Sequence, residues 1–200
     1  YRESMTRSFS EFYRIIKPGK WMTVEFSNTS ASVWNSIQNS LQQAGFIIAN
    51  VAALDKKQGG MNANMTSTAV KQDLAISCYK PSEIFLDIER KHTELDPWFF
   101  IDEHLQHLAT YLIKDGKMIG LPERDQRILY DRLISYYVQR GYPVPLDAHE
   151  FQQGLKERYI ERDGMFFSAI QAAEYEEKKK NAPEFVSLGI IVSDEVSGIQ

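Results

Sequence analysis

Along the first sixteen positions, the apolar residues Met5, Phe9, Phe12, Tyr13 and Ile16 recur at spacings of three, four and seven. That spacing predicts one helix with a single buried face. Lys17-Pro18-Gly19-Lys20 ends it, because proline cannot continue a helix and glycine supplies the turn. Trp21 to Phe26 is short, β-rich and mostly apolar, the pattern of a strand buried on both faces. Ser27-Asn28-Thr29-Ser30 offers caps for a second helix, which carries Val33, Trp34, Ile37 and Leu41 on one side and stops at Ala44-Gly45. Phe46 to Leu54 reads as the next strand. Asp55 to Lys71 has no periodicity and is rich in Gly, Asn, Thr and Met, so it reads as a long loop. Gln72 to Tyr79 is a third strand, closed by Lys80-Pro81.

Beyond Pro81 helical periodicity dominates. Phe99 to Ile113 predicts a helix bearing Ile101, Leu105, Leu108 and Leu112, and Glu123 to Arg140 predicts another with Ile128, Leu129, Leu133, Ile134 and Tyr137 inward. Tyr142-Pro143-Val144-Pro145 is an extended connector to a third helix, capped at Asp147 and reaching about Arg158. Asp163-Gly164 predicts a hairpin within Tyr159 to Phe167, followed by a helix over Ala169 to Asn181 and a strand over Leu188 to Val192. The chain thus divides into 1–81, with the element order of the closing half of a Rossmann-like α/β sheet, and 82–200, a mainly helical α+β extension. Three helices and a hairpin give that extension a winged-helix-like outline. The chain opens at Tyr1 inside helix-like sequence, as expected of a piece of a longer protein.

Composition narrows the classes. The 200 residues are 43% hydrophobic with a net charge of -4, so the chain as a whole is not a basic nucleic-acid binder, and any such contact needs a local cluster. No apolar run approaches the roughly 20 residues of a membrane helix. The lone Cys78 excludes an internal disulfide and points to a reducing, cytoplasmic setting. Within an apolar strand and without a flanking cation, it reads as a buried structural thiol.

Candidate chemistry is sparse. Neither G-x-G-x-x-G nor G-x-x-x-x-G-K-[ST] occurs, so no phosphate cradle is expected. His104 and His107, three apart beside Glu103, lack an evident third metal ligand and read as solvent-facing or hydrogen-bonded histidines. The lysine run 178–180 reads as a solvated helix end. The loop at Asp55-Lys56-Lys57-Gln58-Gly59-Gly60 stands apart: it follows the carboxyl end of a strand, where ligands of open α/β sheets bind, and it concentrates positive charge. Lys71 returns to the same edge if the third strand runs antiparallel to its neighbours. Lys56, Lys57, Gln58 and Lys71 are therefore candidate ligand contacts, the alternative being an ordinary loop whose lysines are merely solvated.

Three passages carry a family resemblance: Phe12-Tyr13-Arg14-Ile15-Ile16-Lys17-Pro18-Gly19-Lys20 leading into Trp21-Met22-Thr23-Val24-Glu25-Phe26, Ala44-Gly45-Phe46 opening the next strand, and Val70-Lys71-Gln72 through Tyr79-Lys80-Pro81 as a closing antiparallel strand. In this order, with Asp55-Lys56-Lys57-Gln58-Gly59 between them, they resemble the C-terminal part of adenine-specific DNA methyltransferases of the amino-methyltransferase group. Glu161 to Phe167 and Val192 to Glu195 are similar to the extension of large bacterial DNA methylases. The resemblance implies a parent enzyme that uses S-adenosylmethionine to methylate the exocyclic amino group of adenine in DNA, in settings such as restriction-modification. It also implies that the cofactor-binding glycine loop and the Asp/Asn-Pro-Pro-Tyr/Phe motif lie upstream, since Pro-Pro occurs nowhere in this sequence. The fragment alone is then expected to be inactive, with DNA and the N-terminal part of the same protein as partners, and the resemblance makes Lys56, Lys57, Gln58 and Lys71 the candidate DNA-contacting residues. A homodimer would be another way to cover the exposed sheet edge. The competing expectation is a non-catalytic DNA- or partner-binding module built from 82–200.

Overall fold

The computed structural model describes residues 2–27, 31–54, 73–91, 96–114, 117–182 and 185–186. The chain is mixed α/β with small, mostly antiparallel sheets, and it divides into two compact units, Tyr1–Lys91 and His92–Gln200.

The N-terminal unit runs α1 (Arg2–Ile15), β1 (Trp21–Ser27), α2 (Ala31–Gln43), β2 (Ile47–Leu54), β3 (Asp73–Tyr79) and α3 (Glu83–Lys91). Its sheet has the order β1-β3-β2, with β3 antiparallel to both neighbours. β1 and β2 therefore run the same way and never pair with each other. Phe9 of α1 and Ile37 and Leu41 of α2 pack with Phe46, Ile48, Ile76 and Cys78 in one core cluster. Leu41 is fully buried, and a side chain of that size contributes about 2 kcal/mol. Two expectations are corrected here. Phe12 is 47% exposed, so the buried face of α1 is narrower than its apolar spacing suggests. β1 is buried on one face only: Met22, Val24 and Phe26 pack on the cluster while Trp21, Thr23 and Glu25 are exposed, because the core shared with α1 and α2 lies on one face of the sheet.

Lys80 holds the turn between α1 and β1. Its Nζ donates to Tyr13 O at 2.7 Å and Ile16 O at 3.0 Å, satisfying carbonyls that the helix end leaves without amide partners. Its backbone carbonyl accepts from Gly19 N, and its own N–H donates to Lys20 O, both at 2.9 Å. The Lys-Pro-Gly turn and the Lys-Pro that closes β3 are thus one joint. Lys80→Met should lower the stability of this unit by about 1 kcal/mol, read as a shift in the urea midpoint followed by Trp21 and Trp34 fluorescence; an unchanged midpoint would show that the joint does not depend on this cap.

In the C-terminal unit, α4 (Pro97–His107) leads to a hairpin of β4 (Leu112–Lys114) and β5 (Lys117–Ile119). A 3-10 turn (Pro122–Arg124), α5 (Gln126–Gln139), α6 (Ala148–Arg158), the hairpin β6 (Ile160–Arg162) and β7 (Met165–Phe167), α7 (Ala169–Asn181) and β8 (Phe185–Val186) complete it. Side-chain caps set the helix starts: Asp96 and Asp125 for α4 and α5, and full capping boxes Asp147/Glu150 and Ser168/Gln171 for α6 and α7. At the β6–β7 turn Asp163 and Gly164 both take positive φ, 52° and 77°, as a two-residue hairpin requires. The helix expected over Phe99 to Ile113 stops at His107, and Leu112 and Ile113 belong to β4, 52% and 69% exposed. The strand expected over 188–192 lies outside the described residues.

Candidate functional site

Because β1 and β2 are parallel and β3 runs against them, their carboxyl ends meet the start of β3 at one edge. Ser27 and Leu54 are both in register with Asp73. The connection that carries Lys56, Lys57, Gln58 and Lys71 leaves from Leu54 and returns at Asp73, so its two ends are held side by side at that edge. The four residues themselves lie outside the described residues, as does Asp55. The expectation that β3 runs antiparallel to its neighbours agrees with the register.

Among the described residues of this unit, no positive-φ glycine stands beside the carboxyl ends of the strands, where nucleotide cofactors of open α/β sheets bind. The positive-φ glycines here, Gly19 and Gly45, precede β1 and β2 and so sit at the opposite edge. Both are committed to packing: Gly19 N donates to Lys80 O, and a Cβ on Gly45 would lie 2.9 Å from the Tyr13 ring.

Other candidate groups resolve into structural roles. Cys78 is fully buried, its Sγ–H donates to Met22 O at 3.4 Å, and burial pushes its thiol up to about 12, far from a thiolate nucleophile. His104 is fully buried rather than solvent-facing, and its ring stacks on Phe100 at 5.7 Å. His107 is nearly buried, with Nδ1 2.9 Å from Glu103 O and 3.6 Å from its carboxylate. Among the described residues no group of three His, Cys, Asp or Glu could hold a metal, and no helix is long and apolar enough to cross a membrane. Of the lysine run, Lys178 and Lys180 are exposed, while Lys179 Nζ donates to Asp163 at 2.6 Å and so ties α7 to the β6–β7 turn.

Charge is divided unevenly along the chain. Residues 1–91 carry eleven Lys and Arg against eight Asp and Glu, a net of +3; residues 92–200 carry twelve against nineteen, a net of -7. The whole-chain value of -4 hides this split.

Two residues that organise the units have no signature in the linear pattern, the Lys80 cap and the fully buried Arg124. Lys80 follows Cys78-Tyr79 and precedes Pro81, whereas Arg124 stands between Glu123 and Asp125, the sequence surroundings of a surface arginine. Comparison with protein-family models, with curated proteins and with solved structures gave no match.

Proposed function

We propose that the chain is the closing part of an S-adenosylmethionine-dependent DNA methyltransferase acting on the exocyclic amino group of adenine, and that its own contribution is scaffold and DNA contact. The observation that carries this reading is the strand order β1-β3-β2, with the last strand inserted antiparallel between two parallel ones. A closing antiparallel strand is what the resemblance implies for a Rossmann-like methyltransferase sheet. The open side of β1 supports it too, since a seven-residue strand bonded on one side has room for a sheet that continues through upstream sequence. Methyl transfer to adenine needs the base turned out of the duplex and held at the carboxyl edge. A loop leaving that edge with Lys56, Lys57 and Gln58, and returning through Lys71, is placed to touch phosphates and base edges. The cofactor pocket and the catalytic motif are assigned to upstream sequence, so no chemical step is derived for these residues.

The charge division favours the N-terminal unit over 92–200 as the DNA contact, because a net of -7 opposes a polyanion. The exposed face of α6 does not offset it: Glu150 and Glu157 balance Lys156 and Arg158, with His149 beside them.

The test is a duplex-retardation titration at several salt concentrations. The chain should bind weakly, and Lys56→Ala/Lys57→Ala should reduce affinity and lower the salt slope by about 2. Calorimetry with S-adenosylmethionine should give no binding heat. Unchanged retardation by the double variant overturns the loop assignment. Micromolar cofactor binding, or upstream coding sequence without a glycine loop and an Asp-Pro-Pro-Tyr-type motif, overturns the division of labour.

A further inference from the structure

Arg124 is fully buried, yet every hydrogen bond recorded for it goes to a neutral oxygen. Nε donates to Ala109 O at 2.7 Å, and Nη2 to Leu105 O at 3.0 Å and Leu108 O at 2.7 Å. Nη1 donates to Phe166 O at 3.0 Å and to Gln171 Oε1 at 3.3 Å. All five guanidinium N–H groups are thereby used. The Phe167 ring lies 4.7 Å from the guanidinium carbon. Three of the acceptors are terminal carbonyls at and just beyond the end of α4, where the helix dipole is negative and amide partners run out. The fourth belongs to β7 and the fifth to the first turn of α7.

The contacts are reinforced by Gln171, whose Nε2 donates to Leu105 O at 2.7 Å while its Oε1 accepts from Ser168 N at 3.3 Å. One planar fork thus ties residue 124 to two stretches distant in sequence, 105–109 and 166–171. Lysine could not reproduce this, because three donors on a point charge cannot span five acceptors in a plane.

We infer that Arg124 is a conformational latch that makes the end of α4, the β6–β7 hairpin and the start of α7 open and close together. The hairpin is then no independent wing: it cannot swing away from the unit without surrendering the guanidinium contacts to α4. The helices α5 and α6 lie outside the latch, since none of the acceptors belongs to them.

Hydrogen exchange on the full chain tests this. In the wild type under rising, sub-denaturing urea, amides of 105–110, 165–168 and 169–175 should converge on one opening reaction with a common urea dependence. In Arg124→Lys those segments should exchange at least tenfold faster, while the central amides of α5, Leu129 to Tyr137, accelerate less than threefold. A variant destabilised elsewhere in the unit, Gly154→Ala, serves as comparison and should not reproduce this pattern. Independent openings of the three segments in the wild type would overturn the latch whether or not Arg124→Lys folds, as would uniform acceleration throughout the unit in that variant.

Discussion

Acidification from pH 7 to pH 4 should unfold the C-terminal unit well before the loss of surface ion pairs could. His104 is fully buried, stacked on Phe100 at 5.7 Å with the planes 10° apart, and Phe100 in turn stacks on Tyr136 at 4.5 Å. Burial, and after it the positive charges of Arg132, His107 and Arg124, hold its imidazole neutral and lower its pKa from 6.5 to about 3. A group whose folded pKa is depressed is protonated first in the unfolded chain, so protons pull the equilibrium toward unfolding. The stabilisation is present in full above pH 6.5 and is lost as the pH falls toward 3. A gap of this size corresponds to a stability change on the order of 5 kcal/mol across the window, a large fraction of what a domain of this size has to lose. The measurement is hydrogen exchange of α4 amides, or a thermal melt, at half-unit steps from pH 7 to pH 3. His104→Leu should flatten the profile, since the carboxylates titrate in both proteins and only the histidine is removed. Superimposable pH profiles for the two proteins would show that His104 does not drive the loss.

Gly154→Ala should destabilise the same unit, against the usual direction of that exchange. In an exposed helix interior, replacing glycine by alanine gains about 1 kcal/mol. Gly154 is buried near the middle of α6, and a Cβ there would lie 2.1 Å from Trp98 Cζ2 and 2.5 Å from Cη2. The indole cannot retreat cheaply. It stacks on Phe151 at 5.5 Å with planes 7° apart, and the Arg158 guanidinium lies 4.6 Å from its ring. Overpacking of this kind costs about 3 kcal/mol, leaving a net loss of about 2 kcal/mol. Trp98 reports the outcome directly: its fluorescence should shift as the ring is displaced, and the denaturation midpoint should fall. A gain in stability would mean that α6 and α4 can slide apart at little cost. Gly154→Ala/Trp98→Leu, which removes the obstructing ring, should recover part of the loss.

Much of the local structure was legible because it depends on neighbours in sequence. The span of α7, the cap Asp147, the turn at Asp163-Gly164 and the three strands of the N-terminal unit all follow from short-range signals. The over-long helix after Phe99 shows where such signals were misweighted. Leu108 and Leu112 continue a helical spacing, yet Asp115-Gly116 between two β-prone triplets marks the connection that joins β4 to β5. The one-sided burial of β1 was legible in its alternation, Met22, Val24 and Phe26 against Trp21, Thr23 and Glu25, and the apolar Trp21 on the polar side obscured it. Arg124 lay further out of reach. Its acceptors are backbone carbonyls 15 to 42 residues away and one amide 47 residues away, and no residue type marks a carbonyl as an acceptor. The candidate loop rests on its charge and its place after β2 and lies outside the described residues, whereas the division of charge between the two units needed the structural boundary at 91/92 before it could be counted.

The central position of β3 also governs the order in which the N-terminal unit can assemble. β1 and β2 are made first during synthesis, but each finds its only described strand partner in β3, the last of the three to emerge. Until Tyr79 has left the ribosome, β1 and β2 lack the strand that joins them in the described sheet. The sheet then forms by closing the 18-residue span between Leu54 and Asp73 and the still longer one from Ser27. Both closures pay chain entropy before any ladder bond repays it, so folding of this unit is a late and non-local event, slower than its helical content alone would suggest. For a nascent chain, that interval is when the β3-facing side of β1 is most open to the wrong strand.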